Sequence, residues 1–384
     1  MEEIYKINHL AFNDSKSQFC LCYNNGIKNF DSQQFKIKYE TNTIGAISMA
    51  VLIRELNIVI FVGTENNEEY NNKKIVIYDL INQKRIYSTF FQKEILSIKA
   101  INKYIIIEFQ YQLKVFSFEK SDNIIPIKEI TLPESNLYEM WDKSTYELIS
   151  LTKIYLIYSF GKDICISQYI GNDWNLNKKY DYKSPAKNVQ NFFYIEKINN
   201  IFLPDEDASY IYGINPDNGK QELCLYRGNN PGIITSITLL NKKYLAVNNL
   251  NRTIHIFDIS NNNNNLNIYN LIGGFFYGNY INSIIKIKYD QLIKEEERKI
   301  YESCFLGKGA ILASEDDGII LTVIAYNGFA YKIKVNFLKR EYELILKENL
   351  AKQKVVKNDI KSIEESDIVI NNLETSSINE DKKK

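Results

Sequence analysis

Short apolar runs recur along nearly the whole chain, and several are apolar on both faces. Clear cases are "QFCLCY" (18–23), "NIVIFVG" (57–63), "KIVIYDL" (74–80), "YIIIEF" (104–109), "QLKVFSF" (112–118), "KIYLIYSF" (153–160) and "TIHIFDI" (253–259), bounded by Asn, Asp, Gly or Lys. Runs of this length, rich in β-branched and aromatic residues and closed by turn formers, read as strands. A strand that is apolar on both faces needs packing neighbours on both faces, so its sheet must lie between other sheets. Helical periodicity is nearly absent before residue 335. These features restrict the chain to an all-β fold of stacked sheets.

The runs also repeat as inner strand, polar turn and outer strand, for instance in "KKIVIYDLINQKRIYSTF", "SYIYGINPDNGKQELCLY" and "RTIHIFDIS". The spacing is on the order of 40 to 50 residues, the length of one four-stranded propeller blade, so about 335 residues accommodate roughly seven. The expected fold is a seven-bladed, WD40-like β-propeller over residues 1–338. Residues 339–384 are highly charged and are read as a short helix followed by a disordered tail.

The 47 basic and 47 acidic residues cancel, so no global field draws the chain to nucleic acid. Two histidines, His9 and His255, are too few for a histidine-rich metal centre, and neither lies in a nucleophile-elbow pattern. The five cysteines (Cys20, Cys22, Cys165, Cys224 and Cys304) are mostly scattered on apolar segments and read as small core residues. Phosphate-binding glycine motifs are absent. No catalytic residue, metal or cofactor is expected. The start "MEEIYKINHLAF" is too polar for a secretory signal, and no run approaches the ~18 apolar residues of a spanning helix. The expectation is a monomeric, cytoplasmic, non-enzymatic protein.

One stretch carries a charge without an obvious structural use. In "ELCLYRGNNPGIITSITLLNKKYLAVNNLNRTIHIFDIS" (222–260), Arg227 ends a strand and Gly228 follows at once. Downstream come the pair Asn248 and Asn249 and the run Thr253-Ile254-His255-Ile256-Phe257. Taken alone, Arg227 reads as a strand-end arginine paired with an acidic neighbour, His255 as an interior histidine and the Asn pair as a turn.

Together these residues resemble the PROPPIN family, the seven-bladed autophagy propellers that include the WIPI and yeast Atg-type proteins. Members carry Phe-Arg-Arg-Gly, then a small-polar pair about two dozen residues later, then a Thr-Val/Ile-His-Ile-Phe strand. The resemblance covers about residues 5–338. It implies binding of phosphatidylinositol 3-phosphate or the 3,5-bisphosphate, with Arg227, Gly228, Asn229, Asn248, Asn249, Thr253 and His255 as the headgroup set. A guanidinium suits that chemistry because it clamps phosphate oxygens with paired donors.

Two departures reduce the implied pockets from two to one: Tyr226 stands where the family's first arginine would be, and Asp205, Glu206 and Asp207 would repel phosphate. The resemblance also implies a membrane-inserting loop, here with Phe275, Phe276, Tyr277, Tyr280 and Ile281, although residues 281–289 read more simply as an outer strand. The implied partners are a phosphoinositide-bearing membrane (autophagosomal, endosomal, vacuolar or plastid) and autophagy-type proteins. The alternative is a WD40-type interaction scaffold that has lost lipid binding.

Overall fold

The computed structural model describes residues 7–13, 16–53, 57–101, 104–120, 123–131, 146–149, 155–160, 163–170, 173–181, 192–240, 243–251, 253–260, 280–292, 309–311, 319–325, 328–350 and 353. The chain divides into two units, residues 1–353 and 354–384, and the second lies outside the described residues. The first unit is all-β.

Its strands follow in groups of four. The first group is β1 (His9–Phe12), β2 (Gln18–Tyr23), β3 (Gly26–Asp31) and β4 (Ile37–Thr41), and the second is β5 (Ile47–Ile53), β6 (Ile58–Gly63), β7 (Lys74–Asp79) and β8 (Lys84–Phe90). The third is β9 (Ser97–Ile101), β10 (Tyr104–Phe109), β11 (Gln112–Lys120) and β12 (Asn123–Thr131), and the fourth β13 (Tyr146–Ile149), β14 (Tyr155–Phe160), β15 (Asp163–Ile170) and β16 (Asp173–Asp181). Then come β17 (Phe193–Ile195), β18 (Asn200–Pro204), β19 (Tyr210–Ile214) and β20 (Gln221–Tyr226), followed by β21 (Ile234–Leu240), β22 (Tyr244–Asn249), β23 (Thr253–Asp258) and β24 (Ile281–Lys288). The last group is β25 (Gly309–Ile311), β26 (Ile319–Ile324), β27 (Phe329–Asn336) and β28 (Glu341–Asn349).

Within each group the strands pair antiparallel in chain order. The groups β17–β20 and β21–β24 are fused into one eight-stranded sheet, because β20 and β24 pair in parallel through Leu225 with Ile281 and Tyr226 with Asn282. The first strands of successive groups touch in order, β1 with β5, β5 with β9, and so on to β21 with β25. The last group packs back on the first: Ile324, Ala330 and Leu350 share a core with Leu10, Phe19 and Phe30. This is a propeller-like arrangement of stacked sheets.

Two-sided burial follows from the alternation of side chains along each strand. On β6, Val59 and Phe61 enter the core shared with the first group, whereas Ile60 and Val62 enter the core shared with the third. On β23, Ile254 and Ile256 face the last group and Phe257 faces the β17–β20 group. Each such buried side chain contributes about 1.5–3 kcal/mol. Among the described residues, no helix is long and apolar enough to cross a membrane. Cys20, Cys22 and Cys224 are buried free thiols, and Cys165 is buried.

The C-terminal boundary departs from the expectation. Glu341–Asn349 is not a helix outside the sheets but the outer strand of the last one, paired residue by residue with β27, and the compact unit runs on to Gln353. Tyr342 and Leu344 pack on the core shared with the β21–β24 group, and Leu346 on the core shared with the first group. Burying this alternating face outweighs the helix-permissive composition of the segment. The expected disordered tail beyond it lies outside the described residues.

Candidate anion-binding site

Arg227 sits where the two halves of the eight-stranded sheet meet. It follows directly on β20, and its own N–H donates to the Ser209 carbonyl at 2.8 Å. Alternation along β20 turns Leu223, Leu225 and Arg227 toward the β21–β24 group, and the first two join its core. The guanidinium is buried, with the residue 7% exposed. Nε donates to the Ala208 carbonyl at 2.6 Å, and Nη2 donates to the carbonyls of Asp207, at 3.1 Å, and Asn230. Burial lowers the arginine's pKa from its usual value, and the charges of Asp205 and Asp207 oppose that shift. The acidic neighbours therefore support Arg227 at a distance, while backbone oxygens form its hydrogen bonds.

Across the junction, Asn249, Thr253 and His255 share one face of β22 and β23, the face that carries Leu245, Val247 and Phe257 into the core shared with Leu225. Asn249 is fully buried; its Oδ1 accepts the Asn251 N–H, and its Nδ2 has no hydrogen-bond partner. His255 is 1% exposed, with Nδ1 3.3 Å from the Ser283 hydroxyl and Nε2 without a partner. An unmade hydrogen bond at such depth costs about 1–3 kcal/mol. Both residues lie on the face of β22 and β23 that is turned to this junction.

Gly232 completes the arrangement. Its N–H donates to the Asp207 carbonyl at 3.0 Å, tying the loop after Arg227 to the β18–β19 turn. A side-chain atom built on Gly232 would lie 3.2 Å from Asn251 Nδ2, 3.3 Å from Asn249 Nδ2 and 3.4 Å from Arg227 Nη2. Three side-chain nitrogens thus crowd the side of Gly232 where a β-carbon is missing, so a larger residue there would press on all three. Of the three, Arg227 Nη2 already donates to the Asp207 and Asn230 carbonyls, and Asn251 Nδ2 to the Pro231 carbonyl, so the unmade donor in front of Gly232 is the Asn249 amide, beside a buried positive charge.

The expected headgroup residues are not all brought together. Asn248 lies on the opposite face of β22, where its Oδ1 accepts the Tyr289 hydroxyl at 3.2 Å. Adjacent strand residues point to opposite faces, so the Asn pair divides between two cores. Asn229 is exposed and its Oδ1 accepts the Tyr226 hydroxyl at 2.5 Å. Gly228 has φ +124°, with open space where a side chain would be. Tyr280 is exposed, with its ring 6.2 Å from Tyr210 and 5.2 Å from Tyr226, and Ile281 is the first residue of β24. Phe275, Phe276 and Tyr277 lie outside the described residues. The sequence reading passed over Gly232 and Asn251; the Pro-Gly pair at 231–232 was the available signal, because it marks a tight turn beside the arginine.

His255 also sets an acid limit on stability. Its pKa is lowered to about 3, first by burial and then by the positive charges of Lys286 and Arg227. The folded state binds this proton less readily than the unfolded one, whose imidazole titrates near ~6.5, so the contribution is intact above that value and declines as pH falls toward 3. At pH 5 the expected loss is about 2 kcal/mol. His255→Leu should remove this part of the acid sensitivity in denaturation midpoints measured between pH 7 and 4; an unchanged pH slope would show that the imidazole is not held neutral.

Solved structures sharing this architecture are readily found. Hsv2 of Kluyveromyces lactis aligns with a TM-score of 0.66 at 16% identity, over 90% of this chain and 99% of that one. KlAtg21, solved in complex with the coiled-coil of AgAtg16, aligns at 0.67 and 13%, with the same coverage. The fold is that of Hsv2 and Atg21. Sqt1 of Saccharomyces cerevisiae also matches, at 0.57 and 11% over 91% of this chain and 87% of its own. No family model and no curated protein sequence matches the chain. The Hsv2-like and Atg21-like course of the chain extends through nearly all of the first unit, so the resemblance read from residues 222–260 is matched at the level of architecture.

Proposed function

We propose that this chain is a closed seven-bladed propeller of the PROPPIN type that binds a 3-phosphorylated inositol lipid and recruits protein partners to the membrane bearing it. The fused eight-stranded sheet supplies two of the seven blades. The observation that carries the reading is the buried, unpartnered Asn249 Nδ2 set beside the Arg227 guanidinium and the Asn251 amide around Gly232. A phosphate oxygen there would satisfy the buried Asn249 amide. Thr253 and His255 share the same face, and neutral His255 can donate from its second nitrogen. The set suits one phosphate group, not two separate headgroups, because Tyr226 points away from this junction and is taken up by Asn229 and the rings of Tyr210 and Tyr280. The protein acts without catalysis, at the cytoplasmic face of endolysosomal or autophagy-type membranes. The likeness to a structure solved with a coiled-coil supports a protein partner of that general kind.

A second reading rests on Arg227 itself. Its hydrogen bonds to three backbone carbonyls are what a purely structural arginine makes, and Asp205 and Asp207 stand near it. On that reading the chain is an interaction scaffold without lipid recognition.

Flotation separates the two. Vesicles of neutral lipid doped with phosphatidylinositol 3-phosphate, the 3,5-bisphosphate or the 4-phosphate are tested with the full chain and with Gly232→Val. Recruitment by a 3-phosphorylated isomer, lost in the Gly232→Val variant, supports the lipid reading. Equal behaviour on all vesicles sinks it in favour of the scaffold.

A further inference from the structure

Leu338, in the turn between β27 and β28, is 98% exposed, the highest value for a large apolar side chain among the described residues. Exposed Lys339 and Arg340 follow it. The turn is held in shape. Phe337 stacks on Tyr244 with ring centroids 3.8 Å apart and planes 1° from parallel, and the Lys339 N–H donates to Asn336 Oδ1 at 3.0 Å. Arg340 sits at φ +55°, a left-handed conformation usual for glycine or asparagine, yet the position carries a cation.

The Phe337–Tyr244 stack brings exposed Lys243, the residue before Tyr244, to the same end of the sheets. Two carboxylates are nearby. Asp258 lies opposite Tyr244 on β23 and accepts both the N–H and the hydroxyl of Ser260, and Glu341 lies opposite Asn336. Lys334, further along β27, faces Glu343. The tip therefore presents one fully exposed leucine among Lys243, Lys339 and Arg340, with Glu341 as the facing carboxylate not engaged by Ser260.

An aliphatic tip with flanking cations fits one occupant best. A leucine enters the acyl boundary of a bilayer while the basic side chains stay among anionic headgroups. The turn also leaves the sheet at the same end as the connection from β23 to β24, since each joins the third strand of its group to the fourth. We propose that the β27–β28 turn is a lipid-contact tip, in which Leu338 enters an anionic bilayer and Lys243, Lys339 and Arg340 bind its headgroups. The tip stands on its own observations and does not depend on the Gly232 site binding phosphate.

The test uses the full chain and vesicles of phosphatidylcholine with phosphatidylserine, free of phosphoinositide. The parent should float, less so at high salt, and Leu338→Asp with Lys339→Glu should lower the bound fraction at least about tenfold. Because Leu338 is almost wholly exposed, the variant should melt as the parent does. In a second measurement, Leu338→Trp should be quenched by brominated acyl chains beyond the background that Trp141 and Trp174 give in the parent. Failure of the parent to float on these vesicles, equal flotation of the double variant, or no quenching above background each overturns the proposal. These vesicles carry no 3-phosphorylated lipid, so the two readings fail separately.

Discussion

Gly63→Ala should destabilise the first unit by more than about 4 kcal/mol, enough to prevent cooperative folding in most domains of this kind. Gly63 ends β6, and the following segment folds back so tightly that an added β-carbon would lie 1.4 Å from the Tyr70 carbonyl oxygen and 2.6 Å from its carbon. The obstacle is backbone, and that backbone cannot yield locally. Tyr70 is itself buried, with its ring 5.4 Å edge-on to Phe61, and its N–H donates to Asn67 Oδ1 at 3.0 Å. Asn67 in turn donates to the carbonyls of Ile44 and Ala46. One methyl group therefore displaces the β6–β7 loop, which Asn67 pins to the β4–β5 linker between the first two groups of strands. Gly228→Ala is the matched control: no atom lies within 4 Å of its added carbon, so only the left-handed φ opposes it, a cost of about 1 to 3 kcal/mol. Denaturant melts of the two variants should differ widely, and a Gly63→Ala protein that melts with its parent would mean that the close approach to Tyr70 is not made in solution.

Arg227→Ala should cost about 3 kcal/mol of stability, apart from any effect on ligand. It leaves the buried Ala208 carbonyl without its donor, takes one donor from the Asn230 carbonyl and one from the Asp207 carbonyl, which keeps the Gly232 N–H, and opens a cavity where the guanidinium stem was packed. Arg227→Lys keeps the charge but offers one nitrogen where two now serve three carbonyls, so it should recover less than half of the loss. A structural role alone would move the melts of both variants and leave vesicle recruitment proportional to the folded fraction. A ligand role predicts in addition that the folded Lys variant binds 3-phosphorylated vesicles more weakly than the parent. An Arg227→Ala protein as stable as its parent would dismiss the carbonyl bonds as energetically empty.

The strands were readable because their signal is local. "QFCLCY" and "YIIIEF" begin and end where β2 and β10 do, since two-sided burial leaves Glu108 as the one charged residue within them. The last strand was missed for the opposite reason. In "EYELILKEN" Glu341, Glu343 and Lys347 imitate an exposed helix, and a register shift turns Tyr342 and Leu344 to one core and Leu346 to another; the alternation of Tyr342 and Leu344 with Glu341 and Glu343 was the better guide. At the site, the grouping of Arg227, Asn249 and His255 was legible from their order along three strands. The placement of Asn248 was legible too, had the alternation along β22 been applied to the pair. The partners of Arg227 could not be read, because they are backbone oxygens and carry no residue identity. The same holds for the crowding around Gly232, which exists only once two loops have met.

The parallel seam between β20 and β24 has a mechanical meaning. Elsewhere, neighbouring groups of strands meet through side chains and can slide or part by small adjustments of packing. Here the two groups are riveted through their main chains, at Leu225 with Ile281 and Tyr226 with Asn282, one residue before Arg227. The walls on either side of Gly232 therefore cannot hinge apart without breaking backbone hydrogen bonds. Asn229, Pro231 and Asn251 beside them are exposed, and a pull on the chain entering β24 is carried first by β20, the strand that leads into Arg227.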